Sequence, residues 1–259
     1  MVQLGVKEKD MKDAAAGENR AETEFLSAVS HEIKTPLNVI VGMCDIAVHH
    51  ADDRKRVEAC LHKICTAADR ISEMLDTVLD MARIEQGKTA MKEKPFNIRE
   101  LTCELTDMLE PLAAEKNVIL SISDENVINS DIAGDRGRII EIMLNLATNS
   151  IKYTPSGGCI DIDICERSND AADKVTYVFR CRDNGIGIPE DFRPHIFEPF
   201  SRSSNVCLTK ADGSGLGMYI VKSLVDAIGG TIKIESTEGM GTEVTVEAEF
   251  KATEHKRIW

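Results

Sequence analysis

From Leu26 to Ala82 the apolar residues return at alternating steps of three and four, and this rhythm constrains the fold more than any other feature of the chain. The positions are Leu26, Val29, Ile33, Pro36, Ile40, Met43 and Ala47, then Val57, Leu61, Ile64, Ala68, Ile71, Leu75, Val78 and Ala82. An average step of about 3.5 residues is that of a coiled-coil seam. The two runs are separated by Ala51-Asp52-Asp53, and either aspartate suits the start of the second helix. So short a polar connection turns the helices back on each other as an antiparallel hairpin. One hairpin leaves Leu37, Cys44, Cys60 and Met74 uncovered, so the sequence predicts a second hairpin, a four-helix bundle and a homodimer. Gly87 is the expected helix stop, followed by a charged linker over 89–95 that closes on Pro95.

After Pro95 the period changes. A helix is expected over 97–116, with Ile98, Leu101, Leu105, Met108 and Leu109 inward, then a short strand over 118–122 and a second helix over 135–152. Residues 159–165 alternate at period two, as do Val175, Tyr177, Phe179 and Cys181 in a strand that stops at Asp183. A third helix is placed at about 215–228 and a final hairpin at 231–236 and 243–250, bent by Gly239-Met240-Gly241. Helices and strands interleave around one sheet. The second half is therefore read as α/β in composition, its largely hairpin-linked strands forming an antiparallel or mixed sheet.

Charge narrows the function. With 44 acidic against 31 basic residues the net charge is −13, which disfavours a nucleic-acid backbone and an anionic membrane surface. No apolar run approaches 18 residues, and residues 1–20 lack a signal-peptide core, so no membrane contact is expected of this fragment. The eight cysteines show no C-x-x-C pair or zinc spacing and are read as reduced, mostly buried thiols in a cytoplasmic setting. His49, His50 and His62 are read as a solvated helix end, because adjacent histidines on a helix point apart.

Three segments carry chemistry. His31 falls on the outer side of the seam, beside Glu32 and one turn before Thr35, while Pro36 frees the Glu32 carbonyl. A neutral imidazole next to a carboxylate is a competent nucleophile, though an ordinary surface histidine accounts for this segment equally well. Asp183-Asn184-Gly185-Ile186-Gly187 follows a strand, and Gly213-Ser214-Gly215-Leu216-Gly217 opens a helix. Glycines admit phosphates close to backbone amides, yet a G-x-G alone is more often just a turn. There is no P-loop and no dinucleotide-binding unit. Asn145, Asn149 and Lys152 share a helix face opposite Ile139, Ile142 and Leu146. That set suits a magnesium–phosphate ligand, or simply water.

In order and spacing these segments resemble the sensor histidine kinases over about residues 21–250. Phe25-Leu26-Ser27-Ala28-Val29-Ser30-His31-Glu32-Ile33-Lys34-Thr35-Pro36-Leu37 resembles their H box, and Asn145 to Tyr153 their N box. Asp183-Asn184-Gly185-Ile186-Gly187 resembles the G1 box, Phe197 to Phe200 the F box, and Gly213 to Gly217 the G2 box. The resemblance implies a dimerisation and phosphotransfer hairpin over 21–88 and an ATP-binding α/β sandwich domain with a mixed sheet over 96–252. Residues 1–20 would be a signalling-helix remnant or tail and 253–259 a C-terminal tail, the whole being the cytoplasmic core of a longer sensor. It implies that ATP phosphorylates His31 and that the phosphoryl group passes to an aspartate of a response regulator. Glu32 would be the base, and Thr35 would position water for dephosphorylation. Asp183 would bind the adenine amino group and Asn149 would hold Mg²⁺, with Asn145, Lys152 and Tyr153 lining the site. Gly185, Gly187, Gly213, Gly215 and Gly217 would shape the pocket and a lid between 200 and 213. Arg202 and Lys210 are candidates for the phosphates, a solvated lid charge fitting each as well. The rival readings are a phosphatase-dominant relative and a silent ATP-binding scaffold.

Overall fold

The computed structural model describes residues 29–30, 33–85, 93–167, 174–201 and 215–253. Expectations placed on residues 1–28, His31, Glu32, Gly87, 89–92, Arg202, Lys210, Gly213 and 254–259 lie outside the described residues. The chain divides into two units, Met1–Leu79 and Asp80–Trp259.

The first unit is the helical hairpin. Helix α1 is helical at 29–30 and over 33–49, and α2 spans Arg54–Glu85. Of the two aspartates in the turn, Asp53 supplies the cap: its Oδ1 accepts from the Arg56 N–H at 3.1 Å. Val29 and Pro36 are buried on α1, with Ile33, Ile40 and Met43 half-buried. On α2 the structure corrects the expected seam. Cys60 and Met74, expected to stay uncovered, are 4% and 1% exposed, whereas Leu61 and Leu75 are 52% and 47% exposed. The inner row is Val57, Cys60, Ile64, Ala67, Ile71 and Met74. At 60/61, 67/68 and 74/75 neighbouring residues are both apolar, so two stripes about 100° apart share one rhythm, and periodicity alone cannot say which faces inward.

In the second unit, Lys94–Asn97 (β1) leads into Ile98–Lys116 (α3), followed by Ile119–Ser123 (β2) and Asp131–Gly134 (β3). Then come Arg136–Tyr153 (α4), Cys159–Arg167 (β4), Lys174–Asp183 (β5), Gly217–Ala227 (α5), Thr231–Thr237 (β6) and Gly241–Ala252 (β7). Asn97 caps α3 by accepting from the Arg99 and Glu100 amides, and Asn117 closes that helix in the left-handed conformation. The two strands absent from the sequence reading, β1 and β3, pair with each other, Lys94 opposite Gly134 and Asn97 opposite Asp131. Each has four residues, too few to show a period, and Pro95 reads as a breaker although a sheet edge accepts it. β1 also begins inside the stretch read as linker.

The described strands form a seven-stranded sheet in the order β1-β3-β7-β5-β4-β2, with β6 also on β7. It is mixed: β2 and β4 are parallel, the other pairs antiparallel. α3 packs on β2, α4 on β4 and β5, and α5 on β6, with α4 touching both other helices. The layer between them contains Leu101, Leu105, Ile139, Ile142, Leu146, Ile162 and Val221, each at most 2% exposed. At about 25 cal/mol per Å² of apolar surface, this interior is the main term holding the half together. Among the seven described cysteines, all free, only Cys60 and Cys181 are buried, so the expectation of mostly buried thiols is corrected. An amphipathic helix face or strand edge leaves a cysteine at the surface as readily as a serine.

Candidate active site

The site is built where β5 ends under α4. Asp183 is the last residue of β5, and Thr242 stands opposite it on β7. Asp183 Oδ1 accepts from Gly185 N at 2.9 Å and Thr242 N at 3.3 Å, while Oδ2 accepts from Ser150 Oγ at 2.9 Å. Burial pushes the Asp183 carboxyl above the ordinary aspartate range, and the donors from Gly185, Ser150 and Thr242 pull it back part of the way. A carboxylate has about four acceptor positions, so the three donors among the described residues leave one of them open.

The glycine turn after Asp183 is wedged between two neighbours. Ile186 N donates to Tyr153 O at 3.2 Å, docking the turn on the end of α4. A Cβ on Gly185 would lie 2.6 Å from that same carbonyl. On the other side Ile188 N donates to Ser236 Oγ at 2.9 Å, and Gly239 N donates to Ile186 O at 2.7 Å. Gly187 has φ +66°, and a Cβ there would sit 2.1 Å from Thr237 O. Gly187→Ala is therefore expected to destabilise the chain by about 3 kcal/mol, combining left-handed strain with a backbone overlap. Thermal unfolding measures it, and an unchanged midpoint would mean that the β6–β7 turn moves aside freely.

Above the turn, Gly217 opens α5 against the amide face of α4. A Cβ on Gly217 would lie 3.3 Å from Asn145 Oδ1 and 3.4 Å from Asn149 Nδ2, so both amides are half-buried under a residue with no side chain. Asn145 Nδ2 donates to Glu141 O at 2.9 Å, which fixes that amide's orientation. Lys152 Nζ lies 4.9 Å from the centre of the Tyr153 ring at the end of α4. Gly215, with φ +72°, abuts Phe200, itself left-handed at φ +61°. Thr35 is exposed on α1, in the other unit.

The structure thus brings Asn145, Asn149 and Gly217 together, and joins Asp183 and Gly185 to the end of α4. Sequence reasoning missed Ser150, Thr242 and Lys116. Ser150 carried a usable signal, a hydroxyl among the buried residues of α4. Lys116 Nζ donates to the terminal α4 carbonyls of Ile151, at 2.5 Å, and Lys152, and its pKa is lowered by burial. Neither it nor Thr242, 59 positions after Asp183, is near the site in sequence.

A hydrogen-bonded carboxylate at the end of β5, a glycine turn docked on the end of α4 and two amides under Gly217 are thus arranged on one mixed α/β sandwich, which follows a helical hairpin. Residues 134–252 match the histidine kinase-, DNA gyrase B- and HSP90-like ATPase family, and residues 21–87 match the His Kinase A (phospho-acceptor) domain. The chain carries a histidine kinase catalytic core, a phospho-acceptor domain followed by an ATPase domain. It is 32% identical over 238 residues to the autoinducer 2 sensor kinase/phosphatase LuxQ of Vibrio parahaemolyticus, covering 91% of this chain and 27% of that protein. It is 35% identical over 230 residues to hybrid signal transduction histidine kinase K of Dictyostelium discoideum, covering 86% of this chain and 19% of that one. The chain therefore spans about a quarter or less of the length of these relatives. Full-length ShkA, crystallised with AMPPNP, superposes with a TM-score of 0.63 at 27% identity, covering 89% of this chain and 46% of that one. Histidine kinase ThkA, in complex with the response regulator TrrA, shares the fold at a TM-score of 0.68 and 23% identity, over 96% of this chain and 67% of that one. No helix among the described residues is long and apolar enough to cross a membrane.

Proposed function

We propose that this chain transfers the γ-phosphoryl group of ATP to His31 and then to an aspartate of a response-regulator receiver domain. The observation that carries the reading is the Asp183 carboxylate, which takes three donors among the described residues and keeps one acceptor position, next to the Gly185 turn and bonded to Ser150 of the α4 helix that also bears the Asn145 and Asn149 amides. One remaining acceptor suits the exocyclic amino group of adenine.

The residues present fit a nucleotide and its metal. The Asn149 side-chain oxygen is a hard donor of the type Mg²⁺ takes, and Gly217 leaves room beside it. Bound Mg²⁺ would neutralise phosphate charge during transfer. Asn145 and Lys152 flank the phosphates, Tyr153 and Gly185 the nucleoside, with Gly187, Gly213, Gly215 and Gly217 shaping the loops around it. Arg202 is the candidate cation for the phosphates. Glu32 takes the imidazole proton as a ring nitrogen of His31 attacks the γ-phosphorus. The bond to the β–γ bridging oxygen breaks and ADP leaves. Holding the reactants in line is the main catalytic contribution. Thr35, exposed on α1 and four residues after His31 in the sequence, orients water when the regulator is dephosphorylated. Two hairpins assemble as a homodimer, and the core works in the cytoplasm.

Incubation with γ-labelled ATP tests the reading. Acid-labile, base-stable label is expected on the chain and absent from His31→Gln. Label that persists in that variant sinks the proposal, and nucleotide binding without any label favours the scaffold.

A further inference from the structure

Behind Asp183 lies a short polar chain with a defined direction. Ser150 Oγ stands 2.9 Å from Asp183 Oδ2 and 3.4 Å from Cys181 Sγ. Cys181 and Asp183 are two apart on β5 and so point to the same face, toward α4. Ser150 and Cys181 are 7% and 1% exposed, so water does not compete for these bonds. An ionised carboxylate only accepts, so the Ser150 hydroxyl must donate to Asp183. Its lone pairs then face the Cys181 thiol, whose pKa burial pushes up to about 12, so that it remains S–H and donates. The order is Cys181 S–H to Ser150 O–H to Asp183 carboxylate.

We propose that Ser150, backed by Cys181, is a positioning residue of the base site: it keeps Asp183 ionised against its burial and occupies Oδ2 so that a single acceptor position faces the base. This rests on the reading of Asp183 as the adenine contact. An ionised carboxylate accepts from a 6-amino group and repels the 6-oxo group of guanine, whereas a protonated one donates to it. The hydroxyl therefore acts on both affinity and base choice.

The other charged neighbours do not substitute for it. Arg182, Asp161 and Glu243 are in register with one another and, by strand alternation, on the opposite face of the sheet. Lys152 and Tyr153 stand at the end of α4. The shift at Asp183 arises from burial opposed by the three hydrogen bonds.

The test titrates ADP and GDP into the full chain by calorimetry from about pH 5.5 to about pH 8, comparing wild type, Ser150→Ala, Ser150→Thr and Cys181→Val. Taking the ratio of variant to wild-type affinity cancels the titration of the phosphates. Ser150→Ala is expected to lose about tenfold in ADP affinity at about pH 6 and about threefold or less at about pH 8. Its preference for ADP over GDP should narrow by about tenfold at the lower pH. Ser150→Thr, which keeps the hydroxyl, should restore the wild-type profile. Cys181→Val should move the profile the same way by a smaller amount, and it carries the test if Ser150→Ala does not fold. Affinity ratios that stay constant with pH overturn the proposal, as does a lowered melting temperature with no change in the pH profile. Asp183→Asn separates the two levels. If it binds ADP like wild type, the adenine reading has failed; if it loses ADP while the Ser150→Ala ratio is flat, only the role of Ser150 has failed.

Discussion

Asp183→Asn is expected to abolish nucleotide binding while leaving the protein at least as stable as before. The carbonyl oxygen of the substituted amide would still accept from the Gly185 and Thr242 amides, which hold the turn. Its NH₂ group would face Ser150, whose hydroxyl can accept instead of donate, and would turn its second N–H toward the ligand position. There a donor would meet the donor of adenine. Losing a hydrogen bond to a charged acceptor and gaining an unpaired donor together cost about 3 kcal/mol, or about a hundredfold in affinity. The stability half of the prediction follows from the raised pKa of Asp183. A carboxyl whose folded pKa lies above its unfolded one contributes stability that is fully present below the unfolded value and lost as pH rises through the folded one. Ionisation of Asp183 thus costs the fold stability, a cost that the proposed adenine contact would explain. Calorimetric titration with AMPPNP and thermal unfolding near neutral pH measure both halves. Binding at wild-type strength refutes the adenine contact, and a melting temperature several degrees lower refutes the stability argument.

The positions that made this site readable in the sequence are those where a residue type carries its own explanation. Asp183 ends an alternating strand and meets a glycine turn, and Asn145 and Asn149 sit opposite an apolar stripe on one helix. Each is a local contradiction of what packing alone would choose. Thr242 offers no such signal, because its contribution is a backbone N–H that any residue but proline provides, and register alone brings it to Asp183. Ser150 lies between these cases, visible as a polar residue on a buried face yet silent about its partner 33 positions away. The fold divides in the same way. Long periodic segments such as β5 and α4 lie within a residue or two of their expected bounds, while the four-residue β1 and β3 exist through their pairing with each other and with β7. On α2 the period was readable but its phase was not.

A single substitution on α2 tests what that phase does. With Cys60, Ala67 and Met74 buried, α2 presents a second row of outward residues, Leu61, Cys65, Ala68, Ser72 and Leu75, at steps of four and three. α1 presents a matching outward row, Leu37, Val41, Cys44 and Val48, with Leu37, Val41 and Val48 at 47%, 55% and 75% exposure. Heptad-spaced and largely apolar rows on both helices are what a second hairpin covers in a two-fold bundle. Leu61→Glu should therefore leave the hairpin's own row intact and split the proposed homodimer. Each leucine contributes about 2.5 kcal/mol of burial, and two-fold symmetry removes it twice, about 5 kcal/mol before any repulsion between the glutamates. At 1.4 kcal/mol per factor of ten, that is a loss of more than about a thousandfold in dimer affinity. Light scattering across a dilution series should show the wild type at twice the chain mass and the variant at one, with helical content retained. A variant that keeps the dimer mass on dilution would place the interface elsewhere. Loss of helix together with loss of mass would instead put Leu61 in the hairpin's inner row, contradicting its 52% exposure.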